Sequence, residues 1–374
     1  MKSNYKSIGE LVDRIDERNK DGSITTLIGV SIDKRFIPSV ANVIGTDLTT
    51  YKVIRKYDFA VSLMQVSRDE KIPVACQKEY DAAIMSPAYP IFRVKDENVI
   101  LPEYLEMWFM RNEFDREASF VAVGGVRGSM PWEEFAKLRL PVPNIEVQRD
   151  IVSSYKTITD RITLKKQIND NLEATAQAYF DSLFFEGNET DCTLADIALV
   201  NPVRPLAKGV EARCFEMATL PTNGCIPTGD TIKPYNGGVR FKNGDTLIAR
   251  ITPCLENGKA AYINILSDGE VAFGSTEYIV FASKGDVPSC FYYFLIRNSK
   301  FVTFALQFMN GSSGRQRVSG EELASFLLKK PSAEDLEKFE QVGSLALEQM
   351  KSHTLEIQLL KQLQETIAAT LSSR

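Results

Sequence analysis

One cluster of charged residues has side-chain types that could carry out chemistry. Asp245, Glu256 and Lys259 lie close together in the sequence and could hold a divalent cation for phosphodiester hydrolysis. Such a site needs its charges to alternate closely along one strand, but Asn257-Gly258 is a turn signal that interrupts the strand. We therefore interpret these residues as solvated charges on a β-hairpin.

A second candidate is the motif Ser86-Pro87-Ala88-Tyr89. It approximates the Asp/Asn/Ser-Pro-Pro-aromatic loop with which amino-methyltransferases hold a target amine, but alanine replaces the second proline. The stretch Ser275-Thr276-Glu277-Tyr278, 189 residues later, has no proline and continues as a strand pattern. No glycine-rich cofactor loop follows a strand in the sequence. We therefore predict a strand edge at both places and no cofactor bound by this chain.

Cysteine and histidine usage gives little support to metal or nucleophilic chemistry. None of the six cysteines forms a Cys-x-x-Cys pair, and His353 is the only histidine. Hydrolases with a Ser or Cys nucleophile usually need a histidine base beside it. The N-terminus has no apolar stretch after its charges, and no apolar run reaches the roughly 18–20 residues of a membrane helix. We therefore expect free thiols, no metal site, no membrane partner and a cytoplasmic location.

Two glycine-rich loops that contain arginine are better candidates, for binding. They are residues 124–129 and 310–317, where a glycine backbone and a guanidinium could approach phosphates; a flexible surface loop is the alternative. Other basic residues lie beside turns or on predicted strands. As a set they could reach phosphates and guanine edges of a nucleic acid. The candidate contacts are Lys34, Arg35, Arg55, Arg68, Arg127, Lys208, Arg240, Lys242, Arg250, Lys259, Arg315 and Arg317.

The charge distribution allows such a surface locally. The whole chain of 374 residues has a net charge of −5, which argues mildly against nucleic-acid binding. However, the acidic surplus lies mainly in residues 144–188 and 332–374, and the remaining stretches are near neutral. With 44% hydrophobic and 25% charged residues, the chain has the composition of a globular protein with room for two domains.

The sequence repeats itself at an offset of 186–189 residues. The order of the matched segments is conserved and the offset drifts by only a few residues, which predicts a tandem duplication. The matched segments are 56–61 with 243–248, 86–92 with 275–281, 102–112 with 288–298, 133–136 with 321–324, and 143 with 331. Each repeat begins with short strand patterns, continues with an apolar helical stretch at 104–114 or 290–308, and ends in about 40 residues with hardly any glycine or proline.

These two endings predict long helices with a heptad seam, because apolar residues recur at alternating spacings of three and four. Ile168 falls on the first pattern and His353 on the second. Ser332, after Pro331, is the predicted N-cap of the second helix. The seam residues are Ile151, Tyr155, Ile158, Ile162, Leu172 and Tyr179 in the first helix and Phe339, Ala346, Met350, Ile357, Leu360 and Ile367 in the second.

The expected fold class is α+β. Two similar globular α/β domains, residues 1–143 and 187–331, are separated by two long helices, residues 144–186 and 332–374, that form an antiparallel two-helix coiled coil. At 1.5 Å per residue each helix could span about 60 Å. This tandem repeat would place the domains at opposite ends of a rod, related by a pseudo-twofold axis.

This architecture resembles the DNA specificity subunit (S subunit) of type I restriction–modification systems. The likeness rests on the duplicated plan of variable domain and helix, on the domain-closing run Leu138-Arg139-Leu140-Pro141-Val142-Pro143 followed by Gln148, and on the helix tail at 172–180. It covers essentially the whole chain. The second junction departs from it, because Lys329-Lys330-Pro331 replaces the first run and Leu336 stands in place of Gln148.

The resemblance implies that each variable domain is a target-recognition domain that reads half of a bipartite, asymmetric sequence in double-stranded DNA. The helices would set the spacing of the half-sites and dock two methyltransferase subunits, which bind S-adenosylmethionine and methylate adenine. Restriction subunits, where the system has them, add translocation and cleavage driven by ATP and Mg²⁺. The specificity subunit itself is not catalytic.

Two alternatives remain open at this point. A degenerate DNA methyltransferase or nuclease would bind S-adenosylmethionine or a metal ion by itself. A two-domain protein-binding scaffold would show no salt-dependent affinity for duplex DNA, whereas affinity that depends on phosphate contacts falls as salt rises.

Overall fold

The computed structural model describes residues 4–39, 45–64, 66–122, 128–187, 189–311 and 315–371. The chain divides into two compact units. The first is formed by Met1–Asp160 with Leu360–Arg374, and the second by Arg161–Leu359. Each unit therefore contains the globular part of one repeat together with one part of each of the two long helices.

The first repeat consists of short strands and short helices. Its strands are β1 (Tyr5–Ser7), β2 (Val12–Ile15), β3 (Ile28–Val30), β4 (Phe36–Pro38), β5 (Lys52–Arg55), β6 (Phe59–Val61), β7 (Val74–Cys76), β8 (Ala82–Met85), β9 (Ile91–Val94) and β10 (Arg139–Pro141). Its helices are α1 (Ile8–Leu11), α2 (Val66–Asp69), α3 (Pro102–Phe109), α4 (Asn112–Ala122), α5 (Trp132–Lys137) and the long α6 (Ile145–Phe184).

The second repeat has the same kinds of element. Its strands are β11 (Cys192–Thr193), β12 (Ala198–Val200), β13 (Glu211–Phe215), β14 (Thr231–Pro234), β15 (Val239–Lys242), β16 (Thr246–Ala249), β17 (Ala260–Tyr262), β18 (Val271–Gly274), β19 (Tyr278–Ser283) and β20 (Leu327–Leu328). Its helices are α7 (Leu194–Ile197), α8 (Cys290–Arg297), α9 (Ser299–Gln307), α10 (Gly320–Ala324) and the long α11 (Ala333–Thr370).

The central sheets of the two repeats have the same topology. The strand order is β2-β9-β6-β7 in the first repeat and β12-β19-β16-β17 in the second, and all pairs are antiparallel. In both repeats the first strand follows a one-turn helix that begins with a capping box, Ser7 with Glu10 and Thr193 with Asp196. These equivalences confirm the α+β class and the duplication.

The second sheets of the two repeats have the same arrangement but differ in the extent of their pairing. In the first repeat the pairs β3-β4 and β5-β8 are joined by a parallel bridge between Leu27 and Ile84. In the second repeat four strands join in the order β14-β13-β18-β15, and β13 runs parallel to β18. The duplicated framework therefore includes both sheets, and the repeats differ in the extent of pairing in the second sheet and in the loops.

The apolar stretch of each repeat forms two helices instead of the single helical stretch predicted at 290–308 and 104–114. Asn298 separates α8 from α9 because its backbone is extended and its side-chain oxygen accepts hydrogen bonds from the backbone N–H groups of Lys300 and Phe301. This is the geometry of an N-cap. Asn112 begins α4 at the equivalent position of the first repeat.

Both long helices contribute to the hydrophobic core of each unit. In the first unit, Ile151 and Tyr155 of α6, Ile367 of α11, and Leu371 just after α11 pack on the core of the first repeat. In the second unit, Phe180 and Phe184 of α6 share the core with residues of α8 and of α11. The helices thus supply apolar surface that the short strands cannot provide alone.

The two long helices run antiparallel within each unit, as predicted. In the first unit the Nε2 of Gln364 donates to Oγ1 of Thr159 (2.7 Å). In the second unit Lys165 pairs with Glu356 (2.7 Å), and further along α6 the ring of Tyr179 lies 6.3 Å from that of Phe339. Ser332 caps α11, because its hydroxyl accepts a hydrogen bond from the backbone N–H of Asp335.

The predicted seam residues are all buried or half-buried, except Ile168. That assignment is wrong, because Ile168 is 37% exposed and the adjacent Asn169 is buried instead. The amide of Asn169 donates to the carbonyl oxygen of Met350 (3.3 Å), and its Oδ1 lies 2.8 Å from Nδ1 of His353. A buried amide in an apolar seam fixes the register of a coil, because any shift leaves it without partners.

This pairing predicts that acid weakens the second unit through His353. Burial, and then the nearby Lys165, lower the pKa of His353 below 6.5, whereas Glu356 acts in the opposite direction. The unfolded chain therefore binds a proton at a higher pH than the folded chain, so stability is lost as the pH falls through about 6.5 towards 5. We expect the urea midpoint at about pH 5.5 to lie below that at about pH 7.5.

His353→Gln is the control for this prediction, because it removes the only histidine of the chain. The variant should lose less stability between the two pH values than the parent chain. An equal loss in both proteins would assign the pH dependence to carboxyl groups and contradict the prediction.

Candidate nucleic-acid interface

The carboxylates considered for metal binding have a structural role in both repeats. The interpretation of Asp245 as a solvated charge is wrong, because Asp245 is buried. It pairs with Arg204 (2.6 Å) and accepts a hydrogen bond from the backbone N–H of Lys242. Asp58 is its equivalent: it pairs with Arg93 and caps the same turn. Among the described residues, no three His, Cys, Asp or Glu side chains lie close enough together to hold a metal ion.

The Ser-Pro-Ala-Tyr motif lies in a tight turn immediately before β9. The hydroxyl of Ser86 accepts a hydrogen bond from the backbone N–H of Ala88. The backbone N–H of Tyr89 donates to the carbonyl oxygen of Ser86 and so closes the turn. Ser275 makes the same bonds to Glu277 and Tyr278 before β19. Both stretches are thus turns that lead into a strand, which accords with the strand-edge interpretation.

Lys34 lies in the turn between β3 and β4, but its ammonium group is buried. It pairs with Asp115 (2.8 Å) and also donates to the carbonyl oxygen of Phe109. Burial lowers the pKa of Lys34, and Asp115 opposes this effect. Lys34 would have to break both contacts to reach a phosphate, so the structure does not favour it as a DNA ligand. The adjacent Arg35 is exposed.

Arg55 and Arg68 lie on the surface of the first unit. Arg55 pairs with Glu17, and Arg68 pairs with the adjacent Asp69 (2.7 Å). Exposed pairs of this kind contribute little to stability, so either guanidinium can exchange its carboxylate for a phosphate. Arg127 lies outside the described residues.

Four further candidates are spread over the second unit. Lys208 is exposed in a loop, and Lys242 is exposed at the end of β15. Arg240 lies on β15 with its guanidinium 5.7 Å from the centre of the Tyr235 ring. Lys259 is half-buried and donates to the carbonyl oxygen of Met217 (2.7 Å), so it supports a loop of its own domain.

Arg250, Arg315 and Arg317 are the candidates that the fold brings into one place. Arg250 follows β16, and the backbone N–H of Val318 donates to its carbonyl oxygen (3.1 Å). Ile251 and Arg317 form a β-bridge. The guanidinium of Arg317 is bound on one edge by both carboxylate oxygens of Glu277, at 2.7–3.0 Å. These hydrogen bonds lower the pKa of Glu277.

Sequence reasoning missed Glu277 and a buried network that joins α6 to the second repeat. In this network the hydroxyl of Tyr293 donates to Glu173 of α6 (2.5 Å), and Arg297 donates to the carbonyl oxygens of Thr222, Gly224 and Gly258. A signal was present, since a lone arginine ends the apolar helix of each repeat, at 111 and at 297.

The thiols are not suited to nucleophilic chemistry. All six cysteines are unpaired, and only Cys254 is not buried. Burial raises the pKa of Cys225 to about 12, so its thiol stays protonated near neutral pH. No helix in the described part of the chain combines the length and apolar character of a membrane span.

Comparison with known proteins accords with this geometry. No family profile matches the chain. It is 34% identical over 143 residues to the EcoAI type I restriction enzyme specificity subunit of Escherichia coli, a match that covers 36% of this chain and 24% of that protein. It is 24% identical over 187 residues to the HindI specificity subunit of Haemophilus influenzae, covering 48% and 40%. These matches span less than half the length of either relative.

A solved structure has a similar fold over nearly the whole length of the chain. The S subunit of the type I restriction–modification system of M. genitalium superposes with a TM-score of 0.60 at 12% identity, over 98% of this chain and 95% of that chain. The predicted resemblance to type I specificity subunits is confirmed. Which of the charged residues described above contact DNA stays a prediction.

The position of Lys34 leads to a test that separates folding from binding. Lys34→Met should destabilise the first unit by about 3–5 kcal/mol, because it leaves Asp115 buried without its ion-pair partner. The change can be measured by urea denaturation. Arg35→Met is the matched control. Because the side chain of Arg35 is exposed, this change should alter the free energy of unfolding by no more than about 0.5 kcal/mol. Equal stability of the two variants would contradict the buried pair.

Proposed function

We propose that this chain is the sequence-specific DNA-binding subunit of a type I restriction–modification complex. Each repeat reads one half of a bipartite, asymmetric target in double-stranded DNA, and α6 and α11 set the distance between the half-sites. The chain is a non-catalytic subunit of a DNA adenine methyltransferase and restriction complex. It works where that DNA is, in the cytoplasm.

One observation carries this proposal. The two repeats share the strand order of the central sheet and the capped helix that precedes it, yet they differ in how far the second sheet is paired and in their loops. A protein that must read two different half-sites in the same way needs a constant framework and variable contact loops. The similarity to specificity subunits in sequence and in fold supports the same interpretation.

The outer face of α11 supports docking of methyltransferase subunits. Leu345, Leu355 and Leu359 are 62%, 42% and 66% exposed, and at 100° per residue they fall within about 80° of one another around the helix. Clustered exposed leucines are typical of a surface that another protein covers. We propose that two such subunits bind along the long helices and supply S-adenosylmethionine. Restriction subunits would supply the ATP- and Mg²⁺-dependent steps.

Methylation mapping tests this proposal directly. Single-molecule sequencing of genomic DNA, with this gene intact and deleted, should reveal one bipartite motif that loses its methyl-adenine on deletion. The motif should consist of two short half-sites around a fixed gap. An unchanged methylome, in cells that express the partner methyltransferase, would favour the protein-binding scaffold instead.

The role of the helices predicts a second result. Insertion of one heptad into both α6 and α11, at positions that face each other across the seam, should preserve the apolar pattern and lengthen the helices. We expect the gap in the methylated motif to lengthen while both half-sites stay the same. The measurement is again methylation mapping.

The matched control inserts the heptad into α6 alone, which displaces Asn169 from Met350 and His353 and should abolish methylation. A change in the bases of either half-site, produced by the double insertion, would contradict the role of the helices as a spacer.

A further inference from the structure

The strongest unassigned feature is a group of polar side chains at the end of β16, which we call the Arg317 site. It consists of Arg250, Glu277, Gln316 and Arg317. Three backbone contacts assemble it: Arg250 donates to the carbonyl oxygen of Glu277 (2.9 Å), Thr252 donates to that of Gln316 (3.0 Å), and Val318 donates to that of Arg250 (3.1 Å). The site is therefore held by backbone pairing, in the manner of a sheet.

The guanidinium of Arg317 is fixed in orientation but still accessible. Its Nε and Nη2 donate to Glu277, and its Nη1 donates to the carbonyl oxygen of Arg315 (3.1 Å). Among the described residues these bonds engage three of the five N–H donors of an arginine. One donor on each terminal nitrogen is left, and the side chain is 39% exposed.

Glu277 is held equally firmly. Its backbone N–H donates to the hydroxyl of Ser275 (3.1 Å), and its carboxylate is 26% exposed. An arginine held by such a carboxylate loses little further side-chain entropy when it binds, so its two remaining donors are preorganised. A pair of parallel N–H donors on arginine matches the O6 and N7 acceptors of guanine in the major groove.

Arg250 adds a positive charge beside this pair. Its side chain is half-buried, and its Nε is buried without a hydrogen-bond partner among the described residues. Its charge lowers the pKa of Glu277 and of Glu322, although Arg317 and Ser319 respectively dominate those two shifts. Two guanidinium groups therefore lie near the carboxylate of Glu277.

The first repeat shows that the framework does not require these side chains. Met130 donates to the carbonyl oxygen of Leu63 (2.9 Å), which is the same contact that Val318 makes with Arg250. By the repeat alignment Leu63, Ala88 and Ser129 stand in place of Arg250, Glu277 and Arg317. The same backbone arrangement therefore forms without the ion pair, which argues against a purely structural role.

We propose that Arg317, positioned by Glu277, is a specificity-determining residue of the second repeat and binds guanine in the major groove of its half-site. This inference rests on the proposed function. Arg250 assists by attracting the DNA backbone. The equivalent site of the first repeat, with apolar and small residues, must read its half-site by other contacts.

The experiment uses the full chain assembled with its methyltransferase subunits. The substrate is a pool of DNA duplexes in which the first half-site is fixed to the mapped motif and the second is randomised. Sequencing of the methylated fraction gives the base preference at each position. For the parent complex we expect one position of the second half-site that requires guanine on one strand.

Arg317→Ala should relax that one position, with a loss of roughly 10- to 100-fold in the preference for guanine. Arg317→Lys should relax it too, because an ammonium group keeps the charge but cannot form the two parallel bonds. Glu277→Gln should weaken the same position by a smaller factor. Lys329→Ala, which removes an exposed charge paired with Glu189, is the matched control and should change no preference.

The alternative results are distinguishable. If the parent complex shows no preference at any position of the randomised half-site, the proposed function itself fails. If the parent reads that half-site but Arg317→Lys leaves every preference unchanged, the inference about Arg317 is overturned and the function stands. A uniform loss of methylation over the whole pool would make Arg317 a phosphate contact and would also overturn it. Relaxation at an A·T position would exclude guanine as the base read.

Discussion

Neither repeat can close its hydrophobic core without the two long helices, and most other features of the structure depend on this constraint. The strands of the central sheets are only three to six residues long, so the sheets cover one side of each core and leave the other open. In the second unit the long helices cover this open side of the core with three phenylalanine rings, Phe180, Phe184 and Phe339. These rings make edge-on contacts with Phe291 and Phe294 of α8. In the first unit, Ile151, Tyr155 and Ile367 have the corresponding role.

This dependence links helix position to domain position within each unit. Since the helices belong to the core, neither repeat can slide along them without exposing large aromatic surfaces to water. Polar contacts then fix the alignment. Asn169 permits one register between α6 and α11, and the Glu173, Tyr293 and Arg297 network ties the second repeat to α6. Burial of apolar side chains stabilises the fold, and the buried hydrogen bonds select one alignment of the helices.

The duplicated framework leaves the loops at the end of the central sheet free to differ. In both repeats one backbone hydrogen bond joins the chain just after β6 or β16 to the segment before α5 or α10. It runs from Met130 to Leu63 in the first repeat and from Val318 to Arg250 in the second. Because backbone groups make that contact, almost any side chain is compatible with it. Leucine, alanine and serine occur there in one repeat, and arginine, glutamate and arginine in the other. The side chains at this place can therefore change without a change of the fold.

The sequence by itself determined the duplication, the α+β class and the two long helices. These properties depend on local patterns: a fixed offset between repeats, heptad spacing, and capping residues such as Ser332. It also determined that Asp58 and Asp245 are equivalent, since both follow the same turn. The turn needs a positive φ, which Gly244 adopts without strain and Tyr57 adopts at 67°.

The tertiary structure alone decided which charges are free. Lys34 and Arg35 are adjacent basic residues in one turn, yet only Lys34 enters the core, because Asp115 lies opposite it from α4. Arg317 gains its fixed orientation from Glu277, which is 40 residues away in the chain. The seam passed through Asn169 and not Ile168 because the pairing with α11, rather than local hydrophobicity, sets which face is buried. Burial and pairing between distant segments are properties of the folded chain, and a pattern along the sequence does not contain them.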